Sequence, residues 1–267
     1  SAMVSEVEGT RKKDPPKIDN LVTFFEPRSW TSQSFKILRT NLLQVLNADG
    51  RSGAPAMKTV LFTSSEQQEG KSTVIANVGI SMAQLGKKTV IVGCNLRRPS
   101  LYRRFGLRRE PGVAEILLGK ASWQEAMRGP TDILAGGLDV DKLLKMPGLH
   151  NLRIIPAGHS IDNISEVLNS AAFDNFLKEL KQHFDIVLID CPPVLPVPDA
   201  MTIGGRVDGV LLIYKVGKTP RDVLKMAKSR LEHAKARILG VVLNQIKAEE
   251  QVGASAYYFR EYVETKP

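Results

Sequence analysis

Short apolar runs alternate with helical patterns along most of this chain. The apolar runs have the length of strands and cover residues 58–63, 88–92, 152–155, 185–190, 210–214 and 240–243. Helical spacing of apolar residues marks the stretches 72–85, 173–183 and 220–234. The runs 185–190, 210–214 and 240–243 are apolar on both faces. The pattern therefore predicts an α/β fold with a mostly parallel sheet and helices on both faces.

The flanks of this pattern differ from its centre. Residues 1–28 are polar and contain prolines, so we expect a linker or extended arm there. Its opening Ser1-Ala2-Met3 is typical of an artificial start, and we expect the natural chain to continue upstream. The main domain is predicted to span 29–247 and to begin with an amphipathic helix over 31–46. Residues 248–267 form a polar tail that carries tyrosines and is expected to be flexible.

Composition narrows the class of protein. The chain has 267 residues, 43% of them apolar, which allows a large α/β domain with a sizeable core. Its 2 cysteines are too few for a disulfide framework and favour a cytosolic setting. A net charge of +9 favours acidic partners such as phosphates, anionic lipid or an acidic protein face. No base-reading motif accompanies that charge, so nucleic acid is not an expected partner.

The segment after the first apolar run has the pattern of a phosphate-binding loop. Gly70-Lys71-Ser72-Thr73 matches the end of the G-x-x-x-x-G-K-[ST] motif, while Ser65 replaces its first glycine. In such a loop the backbone N–H groups, here from Glu69 onwards, surround the phosphates of a nucleotide. Lys71 is predicted to neutralise the β- and γ-phosphates, and Ser72 to bind Mg²⁺. The alternative is a chance match on an exposed turn.

A carboxylate follows at the position where a Walker B acid belongs. Asp190 ends the most apolar strand, and we predict that it binds Mg²⁺ together with Ser72. Lys71 and Asp190 are the predicted catalytic residues. The alternative for Asp190 is an ordinary strand end, but both motifs in this order within an α/β pattern favour an ATP and Mg²⁺ site.

Several stretches add a family resemblance. They are residues 35–42, 96–99 (Leu-Arg-Arg-Pro), 152–158, 185–194 and 241–244. Together they resemble the bacterial tyrosine kinases of capsule and exopolysaccharide export, which are P-loop NTPases with deviant Walker motifs, unrelated in fold to eukaryotic protein kinases. The resemblance implies that Asn244 contacts adenine.

What the resemblance implies is ATP-dependent autophosphorylation of a C-terminal tyrosine cluster, here Tyr257, Tyr258 and Tyr262. In the family this reaction is coupled to assembly and disassembly of rings and regulates polysaccharide export beside a membrane co-polymerase. The expected location is the cytoplasm, at the inner face of the cell membrane. The alternative for the three tyrosines is a tail helix with ordinary aromatic residues.

The chain departs from the family pattern at four places. Gln67-Gln68 replaces the usual Pro-Gly, which removes a glycine from the loop. Gly93 and Asn95 replace both aspartates of the Walker A′ motif, which in the family hold Mg²⁺ and assist the tyrosine hydroxyl. The helix that mediates ring assembly reads Gln33, Lys36 and Arg39, with one acid lost, so interfacial pairing should be weaker. An ordinary amphipathic helix with a basic face is the alternative there.

The basic run from 97 to 109 is predicted to be either a solvated face or a site for an acidic partner or lipid headgroup. It contains Arg97, Arg98, Arg103, Arg104, Arg108 and Arg109.

Three hypotheses for the function remain. The first is a tyrosine kinase homologue that binds Mg-ATP and transfers phosphate weakly or not at all. The second is a nucleotide-gated scaffold that partners an active kinase or the membrane co-polymerase. The third is a partitioning-type ATPase, which usually has a further lysine early in the P-loop, where residues 64–66 offer none.

Overall fold

A computed structural model describes residues 21–48, 56–135 and 147–246 of the chain. Its strands form a six-stranded parallel sheet in the order β3-β2-β4-β1-β5-β6. The strands are β1 (Thr59–Ser64), β2 (Thr89–Gly93), β3 (Leu152–Ile155), β4 (Ile186–Asp190), β5 (Gly209–Lys215) and β6 (Ile238–Asn244). The helices are α1 (Val22–Phe25), α2 (Trp30–Ala48), α3 (Lys71–Gln84), α4 (Leu101–Arg104), α5 (Val113–Leu117), α6 (Trp123–Ala126), α7 (Pro130–Ala135), α8 (Ile164–Leu168), α9 (Ala171–His183), α10 (Asp199–Gly204) and α11 (Arg221–His233).

Helices cover both faces of the sheet, as the apolar strands predict. In β4 the side chains alternate between two cores, because successive residues of a strand point to opposite faces. Val187 and Ile189 join a core with α9 and α11. Leu188 joins the other core, which contains α3 and the inner face of α2. The predicted fold class is confirmed, and the buried sheet supplies the rigid base on which the loops at its edge are placed.

Strand β6 differs from its prediction. The sequence indicated a strand apolar and buried on both faces, but β6 lies at the edge of the sheet and pairs with β5. Val241 is 43% exposed and Leu243 is 57% exposed. An edge strand has a neighbour on one side only, and within the described residues no helix covers these two side chains.

The N-terminal segment also differs from the sequence expectation. Residues 1–28 were predicted to be a polar arm, but its described part, from residue 21, packs against the domain. Leu21 is buried in the core, and Thr23 is buried beside α3. The backbone N–H and the hydroxyl of Thr23 both donate to Asn77 Oδ1, each at 2.9 Å. These contacts attach α1 to the helix that follows the phosphate-binding loop.

Helix α2 extends the predicted 31–46 helix at both ends and packs on α3 through Leu42 and Leu46. Over the three described stretches, no helix combines the length and apolar character that crossing a membrane requires.

Replacing Thr23 by valine tests the attachment of the N-terminal segment. Thr23→Val keeps the shape of the side chain but removes the hydroxyl that donates to Asn77. We expect the free energy of unfolding to fall by about 1 kcal/mol in urea titrations. Thr40→Val is the matched control, because Thr40 is exposed on α2 and its hydroxyl donates within that helix. Equal stability of the two variants would contradict the structural role of Thr23.

Candidate functional site

The carboxyl ends of three neighbouring strands bring the predicted site together. Strand β4 lies between β1 and β2, and its last residue, Asp190, is in register with Phe62 of β1 and Gly93 of β2. The loop after β1 leads into α3, so it passes directly beside Asp190. In open parallel sheets, ligands bind at this edge.

The phosphate-binding loop has the geometry expected before a helix N-terminus. Gly70 has a φ of 91° and immediately precedes α3. An added Cβ would meet only the end of the Asn244 side chain, which can move, so it is the backbone conformation that requires glycine here. The first turn of α3 therefore directs its free backbone N–H groups towards the strand ends.

Lys71 and Ser72 occupy the first two positions of α3. Lys71 is buried, and its Nζ donates to Ser64 Oγ at 3.0 Å. Burial lowers the pKa of Lys71, while the negative charge of Asp190 raises it. Ser72 Oγ donates to Asp190 Oδ2 at 2.9 Å and lies 3.0 Å from Ser100 Oγ. The structure thus places the predicted Walker A and Walker B side chains in contact.

Asp190 is a buried carboxylate, and one of its two oxygens has no hydrogen-bond partner among the described residues. That oxygen is Oδ1, which is itself buried. Burial raises the pKa of Asp190 to about 6, against the opposing effects of Lys71, the Ser72 hydrogen bond and Arg104. An unpaired carboxylate oxygen beside a serine hydroxyl is the set of ligands that Mg²⁺ takes from a P-loop protein, whose substrate phosphates complete the shell. The residues present therefore fit this metal.

Glu69 and Asn244 connect the phosphate-binding loop to strands β5 and β6. The Glu69 carboxylate is fully buried and accepts hydrogen bonds from Thr219 Oγ1 at 2.6 Å and from the Lys215 backbone at 3.3 Å. Asn244 Nδ2 donates to the Glu69 carbonyl at 2.8 Å. Glu69 was predicted to bind the cofactor, but its carboxylate and its carbonyl are engaged by the protein. Its backbone N–H is the group left to contribute.

The two glutamines of the loop have separate consequences. Gln68 has a φ of 62°, in the left-handed region that glycine adopts without cost. The sequence predicted that this loop lacks the glycine needed for a positive φ. The structure shows that Gln68 adopts such a φ in its place. Gln67 Oε1 accepts a hydrogen bond from Arg98 Nη1 at 2.8 Å, which joins the loop to the segment after β2.

The Walker A′ position is closely surrounded by backbone. A Cβ added to Gly93 would lie 3.1 Å from the backbone nitrogen of Ala157 and 3.4 Å from the carbonyl carbon of Pro156. Asn95 has room for its amide, which accepts a hydrogen bond from the Arg98 backbone at 3.1 Å. A carboxylate is therefore easier to restore at position 95 than at position 93.

A cavity of about 810 Å³ opens beside these residues. It is lined by the loop, by the start of α3 and by Pro192, Pro193 and Val197. Val22 and Phe35 line the cavity from the N-terminal helices. This volume is within the range of small-molecule and cofactor sites.

The arginines after β2 do not form a uniform basic face. Arg97 makes two hydrogen bonds of 2.9 Å to the buried carboxylate of Asp199. Arg98 binds Gln67, and Arg109 donates to the carbonyl of Gly158. Arg97, Arg98, Arg103 and Arg108 are exposed, which agrees with the predicted solvated face, and binding of an acidic partner or lipid headgroup stays a prediction.

The predicted assembly residues are engaged within the chain. Arg39 Nη1 donates to the carbonyl of Ser81 at 3.1 Å and to its hydroxyl at 3.2 Å. Lys36 Nζ donates to the Pro27 carbonyl at 3.1 Å, and Gln33 Nε2 to the same carbonyl at 3.4 Å. Pairing across an interface stays a prediction, and it would require Arg39 to exchange its bonds to α3.

Sequence motifs do not indicate some of the residues at this site. Ser100 lines the cavity and Thr219 binds Glu69, but no motif identified either residue. Arg104 also lines the cavity and was predicted only as one member of the basic run. Contacts of this kind depend on which loops meet in space. The predicted phosphoacceptors Tyr257, Tyr258 and Tyr262 lie outside the described residues.

The comparisons with known proteins agree with this fold. The AAA domain family (AAA_31) matches residues 57–207. The tyrosine-protein kinase YwqD of Bacillus subtilis (strain 168) is 30% identical over 225 residues, which are 84% of this chain and 85% of YwqD. The succinoglycan biosynthesis transport protein ExoP of Rhizobium meliloti (strain 1021) is 28% identical over 84% of this chain but 26% of ExoP. The crystal structure of the chimerical protein CapA2B2 superimposes with a TM-score of 0.72 at 27% identity, over 87% of this chain and 92% of that one.

A P-loop domain with a parallel sheet, a Walker A lysine and a Walker B aspartate defines the class of protein. Within that class, the chain belongs to the AAA domain family and, more closely, to the bacterial tyrosine kinases.

Replacing Gln68 by glycine tests the strain in the loop. Glycine avoids the roughly 1–2 kcal/mol that a side chain costs at a φ of 62°. The chain entropy that glycine adds offsets part of this gain, so we expect Gln68→Gly to raise the free energy of unfolding by about 0.5 kcal/mol. Gln67→Gly is the matched control and should lower it, because that substitution removes the bond to Arg98 and adds chain entropy. Thermal unfolding of the two variants measures the difference, and destabilisation by both would show that Gln68 is not strained.

The raised pKa of Asp190 predicts a pH-dependent stability. Between the ordinary value of 3.8 and about 6, the folded protein binds a proton at Asp190 more readily than the unfolded chain does. Stability from this group is therefore present at low pH and lost as the pH rises through 6. Compared with Asp190→Asn, the wild type should lose about 2 kcal/mol of unfolding free energy between about pH 4.5 and 7.5.

Urea titrations of both proteins at the two pH values measure this change. Parallel pH profiles for wild type and Asp190→Asn would show that Asp190 titrates normally.

Proposed function

We propose that this domain binds Mg-ATP and regulates the synthesis and export of a capsule or exopolysaccharide, with a tyrosine autophosphorylation that is weakened. One observation carries the proposal. Lys71, Ser72 and Asp190 meet beside a cavity of nucleotide size, while Gly93 and Asn95 stand where the family has carboxylates.

The nucleotide-binding part of the proposal follows from the groups that face the cavity. The N-terminal N–H groups of α3 and the Lys71 ammonium bind the phosphates. Ser72 and Asp190 hold Mg²⁺, with Asp190 Oδ1 as the available oxygen. When bound, the metal neutralises charge on the transferring phosphate. Asn244 and the apolar side chains at the rim enclose the base.

The weakened transfer follows from the missing carboxylates. Asn95 carries an amide, which does not accept a proton from a tyrosine hydroxyl, and Gly93 has no side chain. Phosphoryl transfer depends mostly on positioning and charge stabilisation, and loss of one such contact typically costs about 10²–10³ in rate. Binding depends on Lys71, Ser72 and Asp190, which are all present. In this proposal the chain therefore keeps nucleotide binding, while its phosphoryl transfer is weak.

The acceptors and partners are proposed from the family. Tyr257, Tyr258 and Tyr262 are the candidate phosphoacceptors, and a second copy of the chain is a candidate partner. Assembly through Gln33, Lys36 and Arg39 would be weak, because all three are bonded within the chain. The name of ExoP, a transport protein much longer than this chain, supports a polysaccharide co-polymerase as the membrane partner at the inner face of the cell membrane.

A second candidate function is a nucleotide-gated scaffold without chemistry of its own. The surroundings of Gly93 favour it, because a Cβ there would approach the Ala157 backbone to 3.1 Å. A side chain at position 93 would require that backbone to shift by a few tenths of an ångström. In this case nucleotide occupancy would control binding to an active kinase or to the co-polymerase.

Restoring one carboxylate tests the proposal. Wild type, Lys71→Met and Asn95→Asp are incubated with Mg-ATP, and the phosphate gained is read by intact mass. We expect little phosphate on wild type, none on Lys71→Met, and a rate at least about tenfold higher for Asn95→Asp, because that substitution returns one electrostatic contact. The phosphate should map to Tyr257, Tyr258 or Tyr262.

Two results would decide against parts of this account. Rapid phosphorylation of wild type that Lys71→Met abolishes would show that the transfer is not weakened. No phosphate on Asn95→Asp, together with nucleotide binding, would favour the scaffold. Gly93→Asp is the control for space, and it should lower the melting temperature because of the neighbouring backbone.

A further inference from the structure

Arg104 differs from the other arginines after β2. Arg97 and Arg98 have side-chain partners, Asp199 and Gln67. Arg104, the last residue of α4, lines the cavity, and its Nη1 atom is buried with no hydrogen-bond partner among the described residues. A buried donor of this kind is costly to the folded protein, and a charged one more so. A buried unpaired group calls for a partner, such as a ligand, an ion or a water, and Arg104 lines a cavity that has room for a ligand.

The surroundings of Arg104 indicate where that ligand would lie. Ser100, directly before α4, lies 3.0 Å from Ser72 Oγ, so α4 approaches the cavity on the side of the predicted metal ligands. Burial lowers the pKa of Arg104, and the negative charge of Asp190 raises it. The guanidinium is therefore near enough to Asp190 to interact with it electrostatically.

Among the described residues near the loop, two buried groups of opposite charge each have an atom without a hydrogen-bond partner. Arg104 Nη1 lacks an acceptor, and Asp190 Oδ1 lacks a donor or a cation. They do not satisfy each other. A phosphate oxygen together with its metal would satisfy both, since guanidinium groups bind phosphate and carboxylates bind Mg²⁺.

We propose that Arg104 binds the terminal phosphate of the nucleotide directly and so favours a triphosphate over a diphosphate. This inference rests on the proposed function, because it concerns the same cavity. Ser72 would hold the metal on the side of the cavity where the terminal phosphates would lie, and the contact of Ser72 with Ser100, directly before α4, places Arg104 on that side. Lys71 reaches the same phosphates from the loop. Lys71 and Arg104 would then neutralise negative charge on the triphosphate. Neither Walker A′ carboxylate is present in this site.

Calorimetric titration with ATP and with ADP tests the proposal, with Mg²⁺ and again in EDTA. The proteins are wild type, Arg104→Gln and the matched control Arg103→Gln, which removes the same charge from an exposed neighbour on α4. Arg104→Gln should weaken ATP binding about 10- to 100-fold and ADP binding much less, since one charge-assisted contact is lost. The loss should persist in EDTA, because a guanidinium contacts phosphate without a metal.

Several results would overturn the proposal. Equal losses for ATP and ADP, equal effects of Arg104→Gln and Arg103→Gln, or a loss seen only with Mg²⁺ would each exclude a direct contact with the terminal phosphate. If wild type bound neither nucleotide, the proposed function would fail together with this inference. If wild type bound both and Arg104→Gln matched it, the inference alone would fail.

Arg104→Met separates binding from folding. Methionine keeps much of the volume and removes the unpaired buried donor, so the nucleotide-free variant should melt at or above the temperature of wild type. A purely structural arginine would instead give a lower melting temperature. The expected result is a variant as stable as wild type that binds ATP as weakly as Arg104→Gln does.

Discussion

The parallel pairing of β4 between β1 and β2 is the constraint on which the site depends. This register places Asp190 opposite both Phe62, which precedes the phosphate-binding loop, and Gly93. Because the neighbouring strands end at the same edge, Ser72 at the start of α3 lies within hydrogen-bond distance of Asp190. A shift of β4 by one residue would turn Asp190 to the other face of the sheet. The core on each side of the sheet fixes the register and so fixes the site.

The charges at this edge underlie the proposal that nucleotide binding and phosphate transfer separate in this chain. Asp190 interacts with the positive charges of Lys71 and Arg104. Gly93 and Asn95 stand where the family resemblance places two further carboxylates. The remaining groups suit a polyphosphate with its metal, since cations and helix N–H groups surround the cavity. Gly93 and Asn95 offer no carboxylate to accept the proton of a tyrosine hydroxyl. We therefore propose that the site holds a nucleotide and that its transfer of phosphate to tyrosine is weak.

The sequence predicted the features that are local and left out those that depend on packing. Helix α3, strand β3 and the position of Asp190 followed from periodicity and from the motif spacing, and the fold class is confirmed. The bond between Glu69 and Thr219 joins residues 150 positions apart, and no motif indicates it. Helices α4 to α7 are too short to show a clear helical period, so the segment that carries Arg104 was not predicted as a structured wall of the cavity. The prediction that β6 is buried on both faces was wrong. The whole sheet sets the strand order, and hence which strand lies at the edge.

The central claim is that this edge of the sheet binds a nucleotide through Lys71. The most direct test is an equilibrium titration of the full chain with Mg-ATP. Wild type and Lys71→Met are compared. We predict saturable binding of one ATP per chain to wild type and a loss of affinity of at least about tenfold in the variant, since one charge-assisted contact is removed. Equal affinity of the two proteins, or no binding by wild type, would contradict the account.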